Sequence, residues 1–376
     1  MKGFVKMIYL DNAASTHAKP PAVAAAVCGY LSDYASNSGR SGHKLSIYTG
    51  EKIYECRELL ARLFNIDDPS RIAFTQSATF AINFAVHGLV SKGSHVVISG
   101  MEHNAVVRPV VASGADYTVA KADKNGFVSP QSVEAALRSD TALIIINHAS
   151  NIVGTINPIT EIGKIAARCR IPLLVDAAQT AGVLDIDVKR DNISLLAFAG
   201  HKLLFGPSGT GGLYVREGIK LKTIIQGGTG TLSESVYQPD FMPDALESGT
   251  LNAAGIIGLA QGVKYVLNKG TDSIYAHERR LAGMLRTGLS RDKRVTLYGG
   301  GESVGVVGFN IAGMDSVSVS NELDRRFDIA SRGGLHCAVL AHKSIGTEST
   351  GLVRLSVSDF NTDDEIKQAV AAVWSL

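Results

Sequence analysis

Lys202 closes the stretch Phe198-Ala199-Gly200-His201-Lys202, between an apolar run from Ser194 to Phe198 and a glycine-rich turn from Gly206 to Gly212. A lysine at such a strand end is partly desolvated, which disfavours its charged form and can lower its pKa by ~3–5 units at full burial. A neutral amine is the nucleophile that Schiff-base chemistry requires. Lysine and arginine total 37 in this chain, so one lysine decides nothing without its companions. Asp176 ends the apolar run Leu173-Leu174-Val175, where a carboxylate keeps its charge only beside a cation or several donors. A protonated ring nitrogen would be such a cation. His103 is placed either to cap a helix or to lie flat against a planar ligand. Ser77 and Thr79 open a helical stretch, Thr79 to Leu89, and read equally as ordinary caps or as donors to a phosphate at a helix N-terminus.

These residues follow short β-rich runs: Ile72 to Thr75, Val96 to Ser99, Tyr117 to Ala120, Leu143 to Asn147, Leu173 to Asp176 and Ser194 to Phe198. The runs alternate with helical patterns, which predicts a parallel sheet with crossover helices. In open α/β sheets ligands collect outside the carboxyl ends of the strands. Ser77-Ala78-Thr79, Glu102-His103-Asn104, Asn147 to Asn151, Asp176 to Gln179 and His201-Lys202 stand at those ends. One polar strand end is usually a cap; five at one edge suggest a site. Upstream, Pro20-Pro21 marks a helix start, Ala35 to His43 reads as a loop, and Glu51 to Phe64 as a helix with Ile53, Cys56, Leu60 and Leu63 on its apolar face. Gly227-Gly228-Thr229-Gly230 completes no phosphate-loop pattern and reads as a flexible connection. In the last third, Tyr275 to Leu289 reads as a helix, Val304 to Ile311 and Gly351 to Val357 as strands, and Thr362 to Glu365 as a capping box before a terminal helix.

A chain of 376 residues with 45% hydrophobic content can bury a large core and make two domains. The net charge of +2, with no long run of either sign, predicts neither a nucleic acid nor a membrane surface as partner. Small soluble ligands are the expectation. Met1 to Met7 is too short for a signal core, and no apolar stretch approaches the ~20 residues of a spanning helix, so the expected location is cytoplasmic. Cys28, Cys56, Cys169 and Cys337 lack C-x-x-C spacing, which argues against a zinc site or a disulfide framework. No metal is expected.

The strings HASNIVGT (148–155), VDAAQTAG (175–182), FAGHKLLFGPSGTGGLYV (198–215) and LESGTLNAAGIIGL (246–259) resemble the class V aminotransferase superfamily. RGGLHC, Arg332 to Cys337, is similar to the R-x-G-x-H-C pattern of its cysteine desulfurase and selenocysteine lyase branch. The resemblance implies a fold-type I α/β enzyme of pyridoxal 5′-phosphate, with a mainly parallel central sheet between helices and a smaller α+β C-terminal domain. Residues 16–260 would form the large domain and 261–376 the small one, joined by residues 1–15. By the same resemblance Lys202 would hold the cofactor covalently, Asp176 would pair with its ring nitrogen, His103 would stack on the ring and Gln179 would contact the ring hydroxyl. Ser77, Ala78, Thr79 and His201 would cradle the phosphate, with Thr250 reaching it from a second subunit of a homodimer. Asn151 and Arg354 would hold the carboxylate of L-cysteine, assisted by Arg332. Cys337 would accept the sulfur as a persulfide and pass it to an acceptor protein, with His336 tuning the thiol, and the resemblance implies sulfur mobilisation for iron–sulfur cluster assembly. The glycine-rich flank Arg332-Gly333-Gly334 predicts a mobile loop around Cys337. A selenocysteine lyase or a transaminase in which Cys337 carries no sulfur is the alternative, and a non-catalytic scaffold a third. The chain departs from the pattern at Ala199, where many relatives have a serine or threonine hydroxyl, at Ala78, which replaces another hydroxyl, and at Phe80, whose position is usually acidic. These changes concern the grip on the phosphate, not the covalent chemistry.

Overall fold

The computed structural model describes residues 7–38 and 41–376; parts of two predicted features, the 1–15 segment and the 35–43 loop, lie outside them. The strands are β1 (Ile8–Tyr9), β2 (Ile72–Thr75), β3 (His95–Ser99), β4 (Asp116–Ala120), β5 (Thr141–Asn147), β6 (Leu173–Asp176), β7 (Leu195–Ala199), β8 (Gly211–Val215), β9 (Val295–Tyr298), β10 (Val306–Ile311), β11 (Ile329–Ala330), β12 (Arg332–Gly334) and β13 (Leu352–Ser356). Seven form one sheet in the order β2-β8-β7-β6-β5-β3-β4. The pairs among β3 to β7 are parallel, whereas β8 runs antiparallel to both β2 and β7. A second, four-stranded sheet, β12-β13-β10-β9, is antiparallel throughout.

Both faces of the large sheet are covered. Ile144, Ile146, Leu173, Val175, Leu196 and Phe198 point into one apolar core, while their strand neighbours Leu143, Ile145, Leu174, Leu195 and Ala197 point into another. That two-sided burial is why these strands read as unbroken apolar runs rather than as alternating ones. The small sheet packs on the helices Thr271–Leu289, Ser316–Phe327 and Asp363–Trp374, and Ile8 and Leu10 join this third core. The terminal helix carries the full capping box, Thr362 with Glu365.

Three local expectations are corrected. The glycine-rich segment after Lys202 does not stay a turn, because it enters β8 at Gly211. A side chain at Gly212 would lie 2.3 Å from the Phe198 ring, so the absent Cβ is what lets β8 lie beside β7 there. The helix that was to begin at Glu51 begins at Lys44, where the His43 ring accepts the N–H of Ser46 at 3.2 Å. Arg332–Gly334 is an edge strand rather than a mobile loop: it pairs with β13, and a Cβ on Gly333 would meet the Ser316 carbonyl oxygen at 2.2 Å. Ala253–Lys269 is one continuous helix, and the chain turns after it at Gly270, whose φ is 84°.

Candidate active site

The carboxyl ends of β3, β5, β6 and β7 and the start of the helix Ala78–Leu89 enclose a cavity of about 90 Å³. Lys202, Asp176 and His103 line it, as do Asn151, Gln179 and His201. Ser77, Ala78 and Thr79 close the end formed by the helix start. Register explains the convergence: Asp176 is the last residue of β6 and lies opposite both Asn147 of β5 and Ala197 of β7. Gly200 makes the turn after β7 possible, since a Cβ there would lie 2.3 Å from the Thr210 hydroxyl.

Burial lowers the Lys202 amine to about 8, partly opposed by the charge of Asp176. At pH 7 about a tenth of such amines are neutral, against about one in three thousand at the ordinary value. Burial pushes Asp176 in the other direction, up from the usual carboxylate range; among the described residues its carboxyl accepts one hydrogen bond, from the Ala178 N–H at 2.9 Å. Buried carboxyls with so few donors favour a cationic partner. His103 does cap its helix, its Nδ1 accepting the Ala105 N–H at 3.0 Å, and the same ring lines the cavity. Burial, reinforced by Lys202 and three arginines, lowers it to about 4, so it is neutral at pH 7. Burial and the Lys202 charge lower His201 to about 4 as well, and its Nδ1 lies 3.2 Å from the Ser15 hydroxyl. Gln179 is fixed by donating to the Ala13 carbonyl at 3.0 Å. Ser77 stands at the N-cap position but makes no capping bond, which leaves first-turn N–H groups of a twelve-residue helix facing the cavity.

A second cluster adjoins the first. Arg354 is 1% exposed; its Nη2 pairs with Asp11 at 2.5 Å and its Nη1 donates to the Asn151 carbonyl at 3.0 Å. Asn151 in turn donates its amide to the His336 carbonyl at 3.0 Å. His336 donates Nε2–H to the Arg332 carbonyl, and burial brings it down to about 3, so its ring is neutral. His336 and Cys337 both hold left-handed backbone, φ 49° and 55°, and the Cys337 carbonyl accepts the Asn104 N–H at 2.7 Å. Cys337 is exposed. It lines a cleft of about 390 Å³ that shares His103, Thr79 and Ala105 with the Lys202 cavity. Thr250 lies apart: it is exposed and borders another cavity, beside Phe80 and Gly209. Its segment is anchored by Glu247, which accepts the Phe74 N–H at 2.6 Å and pairs with buried Arg57 at 2.7 Å.

Two groups, Lys19 and Asp11, escaped the sequence reading, and a third, Glu102, was placed at the ligand edge without a role. Glu102, fully buried, accepts from the Ser99 hydroxyl at 2.6 Å and the Asn147 N–H at 2.8 Å, and burial raises it to about 8. Lys19 reaches the His201 carbonyl at 3.3 Å, and burial lowers it to about 8. Asp11 pairs with Arg354, and its place in the string Asp11-Asn12-Ala13-Ala14-Ser15, a charge two residues after β1, is the signal that could have found it. Pyridoxal 5′-phosphate fits the residues present: the open helix start suits its phosphate, Asp176 its ring nitrogen, the His103 ring its planar face and the Lys202 amine its aldehyde.

Comparison with known proteins bears on the same reading. The aminotransferase class V profile matches residues 8–369. A probable cysteine desulfurase of Methanothermobacter thermautotrophicus is 36% identical over 370 residues, 96% of this chain and 92% of that protein. One of Borreliella burgdorferi is 33% identical, over 96% of this chain and 89% of its own length. The apo structure of a cysteine desulfurase from Thermococcus onnurineus superposes with a TM-score of 0.92 at 30% identity, covering 99% of this chain and 96% of the other. Among the described residues no helix is long and apolar enough to cross a membrane.

Proposed function

The chain belongs to the aminotransferase class V family, and on that premise we propose that it is a pyridoxal-phosphate-dependent cysteine desulfurase, converting L-cysteine to L-alanine with a persulfide left on Cys337. One observation carries the reading: the cleft holding the exposed Cys337 thiol and the cavity holding the Lys202 amine share the His103–Thr79 wall. A substrate fixed beside Lys202 therefore presents its side chain toward the thiol.

In this reading Lys202 anchors the cofactor, Asp176 pairs with its ring nitrogen, His103 packs on its face, and the start of the helix Ala78–Leu89 with Ser77, Thr79 and His201 holds its phosphate. When bound, the cofactor supplies the electron sink that stabilises a carbanion at the substrate Cα. Arg354 and Asn151 take the substrate carboxylate, with Arg332 on the neighbouring strand adding charge. The Lys202 amine, lowered to about 8, moves the Cα proton. The Cys337 thiolate attacks the substrate sulfur: the S–S bond forms as the C–S bond breaks, the bonding pair stays with carbon, and Cβ takes a proton to give alanine. His336, neutral and hydrogen-bonded to Arg332, holds the turn rather than offering the thiol a positive charge. Purified protein reconstituted with pyridoxal phosphate is expected to release alanine and sulfide from L-cysteine and a thiol reductant; alanine at the level of a cofactor-only control would refute the activity.

We place the boundary between the two domains at Gly270, and we read the active unit as a homodimer. Thr250 does not line the Lys202 cavity of its own chain, while Val236 and Tyr237, 93% and 81% exposed, extend an apolar surface in the loop leading to it. A partner's Thr250 would complete the phosphate site, so light scattering should give two chains per particle and dilution should release cofactor together with monomers. A monomer that turns over at the full rate would contradict this.

A further inference from the structure

Asp11 shares the candidate substrate anchor with whatever acid binds there. Its backbone is stitched to β13: it bridges to Ser356, two residues beyond Arg354, and Asn12 donates its amide to the Ser356 carbonyl at 2.9 Å. That register delivers the Asp11 carboxylate to the buried Arg354 guanidinium at 2.5 Å. Across the strand pair Arg332 is the direct partner of Arg354, so two guanidinium residues stand opposite each other. Like charges so placed repel unless anions lie between or beside them. Among the described residues the Arg332 side chain has no ion pair, and Nε of Arg354, though buried, has no acceptor. The charges of Asp176, Arg354, Arg332 and Asp11 all bear on the Lys202 amine. Asp176 is spoken for by the ring nitrogen. Two arginines against one resident carboxylate leave room for one further negative charge.

We propose that Asp11 is a specificity-determining residue: by occupying one side of Arg354 it restricts the site to amino acids with a single carboxylate and turns away dicarboxylic and other dianionic ones. The inference rests on the reading of Arg354 as the seat of the substrate carboxylate. It follows from charge balance and from hydrogen-bond supply, since the unpaired Nε–H and the remaining Nη protons suffice for one carboxylate but Asp11 repels a second.

The test uses the cofactor-loaded enzyme and measures binding rather than turnover. Propionate and succinate, with one and two carboxylates, are titrated at constant ionic strength by calorimetry. The parent protein should bind propionate and discriminate against succinate. Asp11→Asn keeps the shape and removes the charge; both acids should gain affinity, since both seat a carboxylate on the guanidinium that Asp11 shares, but succinate should gain about tenfold or more beyond propionate. Asp11→Ser serves should the amide variant fold poorly, and L-cysteine against L-cysteine sulfinate as substrates should show the same inversion in kcat/KM. If succinate already competes as well as propionate in the parent, or if the ratio of the two is unchanged in both variants, Asp11 sets no specificity. If both acids weaken together, Asp11 is a structural strut only and the proposal falls. Should the parent bind neither acid, Arg354 is not the carboxylate seat, and the wider substrate reading fails with it.

Discussion

Cys337→Ser should lower alanine production from L-cysteine by orders of magnitude while leaving cofactor uptake and substrate binding as in the parent. The thiol is exposed and lies outside the cavity of Lys202, Asp176 and the helix start, so its loss opens no void in the core and removes no contact to the cofactor. A serine hydroxyl fits the left-handed turn as the cysteine does, because the backbone is held by the Asn104 N–H and by Asn151 and His336, none of which uses the sulfur. What disappears is the acceptor for the substrate sulfur. L-selenocysteine supplies an internal control: a selenol is more acidic than a thiol of pKa ~8.5, and its bond to carbon is weaker, so elimination needs less help from an enzyme nucleophile. The variant should retain much more activity on selenocysteine than on cysteine. Equal loss on both substrates would mean that the turn, not the sulfur, had been damaged. Parental rates on cysteine would make Cys337 a bystander and favour a lyase or transaminase.

Lys202→Ala should abolish turnover, by about a thousandfold or more, because one amine serves both as anchor and as base. Its buried position brings the amine down to about 8, which suits proton transfer near neutral pH; an alanine supplies neither function. Binding should separate from chemistry here too. In the proposed reading the start of the helix Ala78–Leu89 holds the phosphate and Asp176 the ring nitrogen, and neither uses the Lys202 amine, so the variant should still take up pyridoxal phosphate, but borohydride should no longer fix it to the protein. Fixation at another lysine with activity preserved would remove Lys202 from its role. Colourless parent protein that takes up no pyridoxal phosphate would sink the assignment altogether.

Much of this site was legible from residue types because the sheet is buried on both faces. A strand such as Leu173–Asp176 carries no polar residue before its last position, so the first polar residue marks the ligand edge. Membership of class V and the α/β architecture followed from the lysine and aspartate strings and are borne out. What escaped has physical causes. β8 begins with two glycines that signal a turn when read locally, yet they serve to bring the strand against Ser77 and Phe198. The antiparallel direction of β2 and β8 is set by partners far apart in the chain, which local periodicity does not encode. Asp11, Glu247 and Arg57 act through contacts across hundreds of residues; singly they look like ordinary surface charges, and only packing brings the buried pair Arg57–Glu247 under the segment leading to Thr250. The Cys337 flank misled for the opposite reason. Its glycines suggest mobility, but Gly333 is small because the helix start at Ser316 packs on it.

The central claim is that sulfur passes from L-cysteine to Cys337. It is tested most directly by mixing cofactor-loaded protein with one equivalent of L-cysteine, without reductant, trapping thiols with an alkylating reagent and sequencing the peptides by mass spectrometry. The account predicts a mass increase of one sulfur atom on the peptide containing Cys337, lost on reduction, equal in amount to the alanine formed, and absent from Cys28, Cys56 and Cys169. Alanine formed with Cys337 unmodified, or the added sulfur on another cysteine, would contradict it.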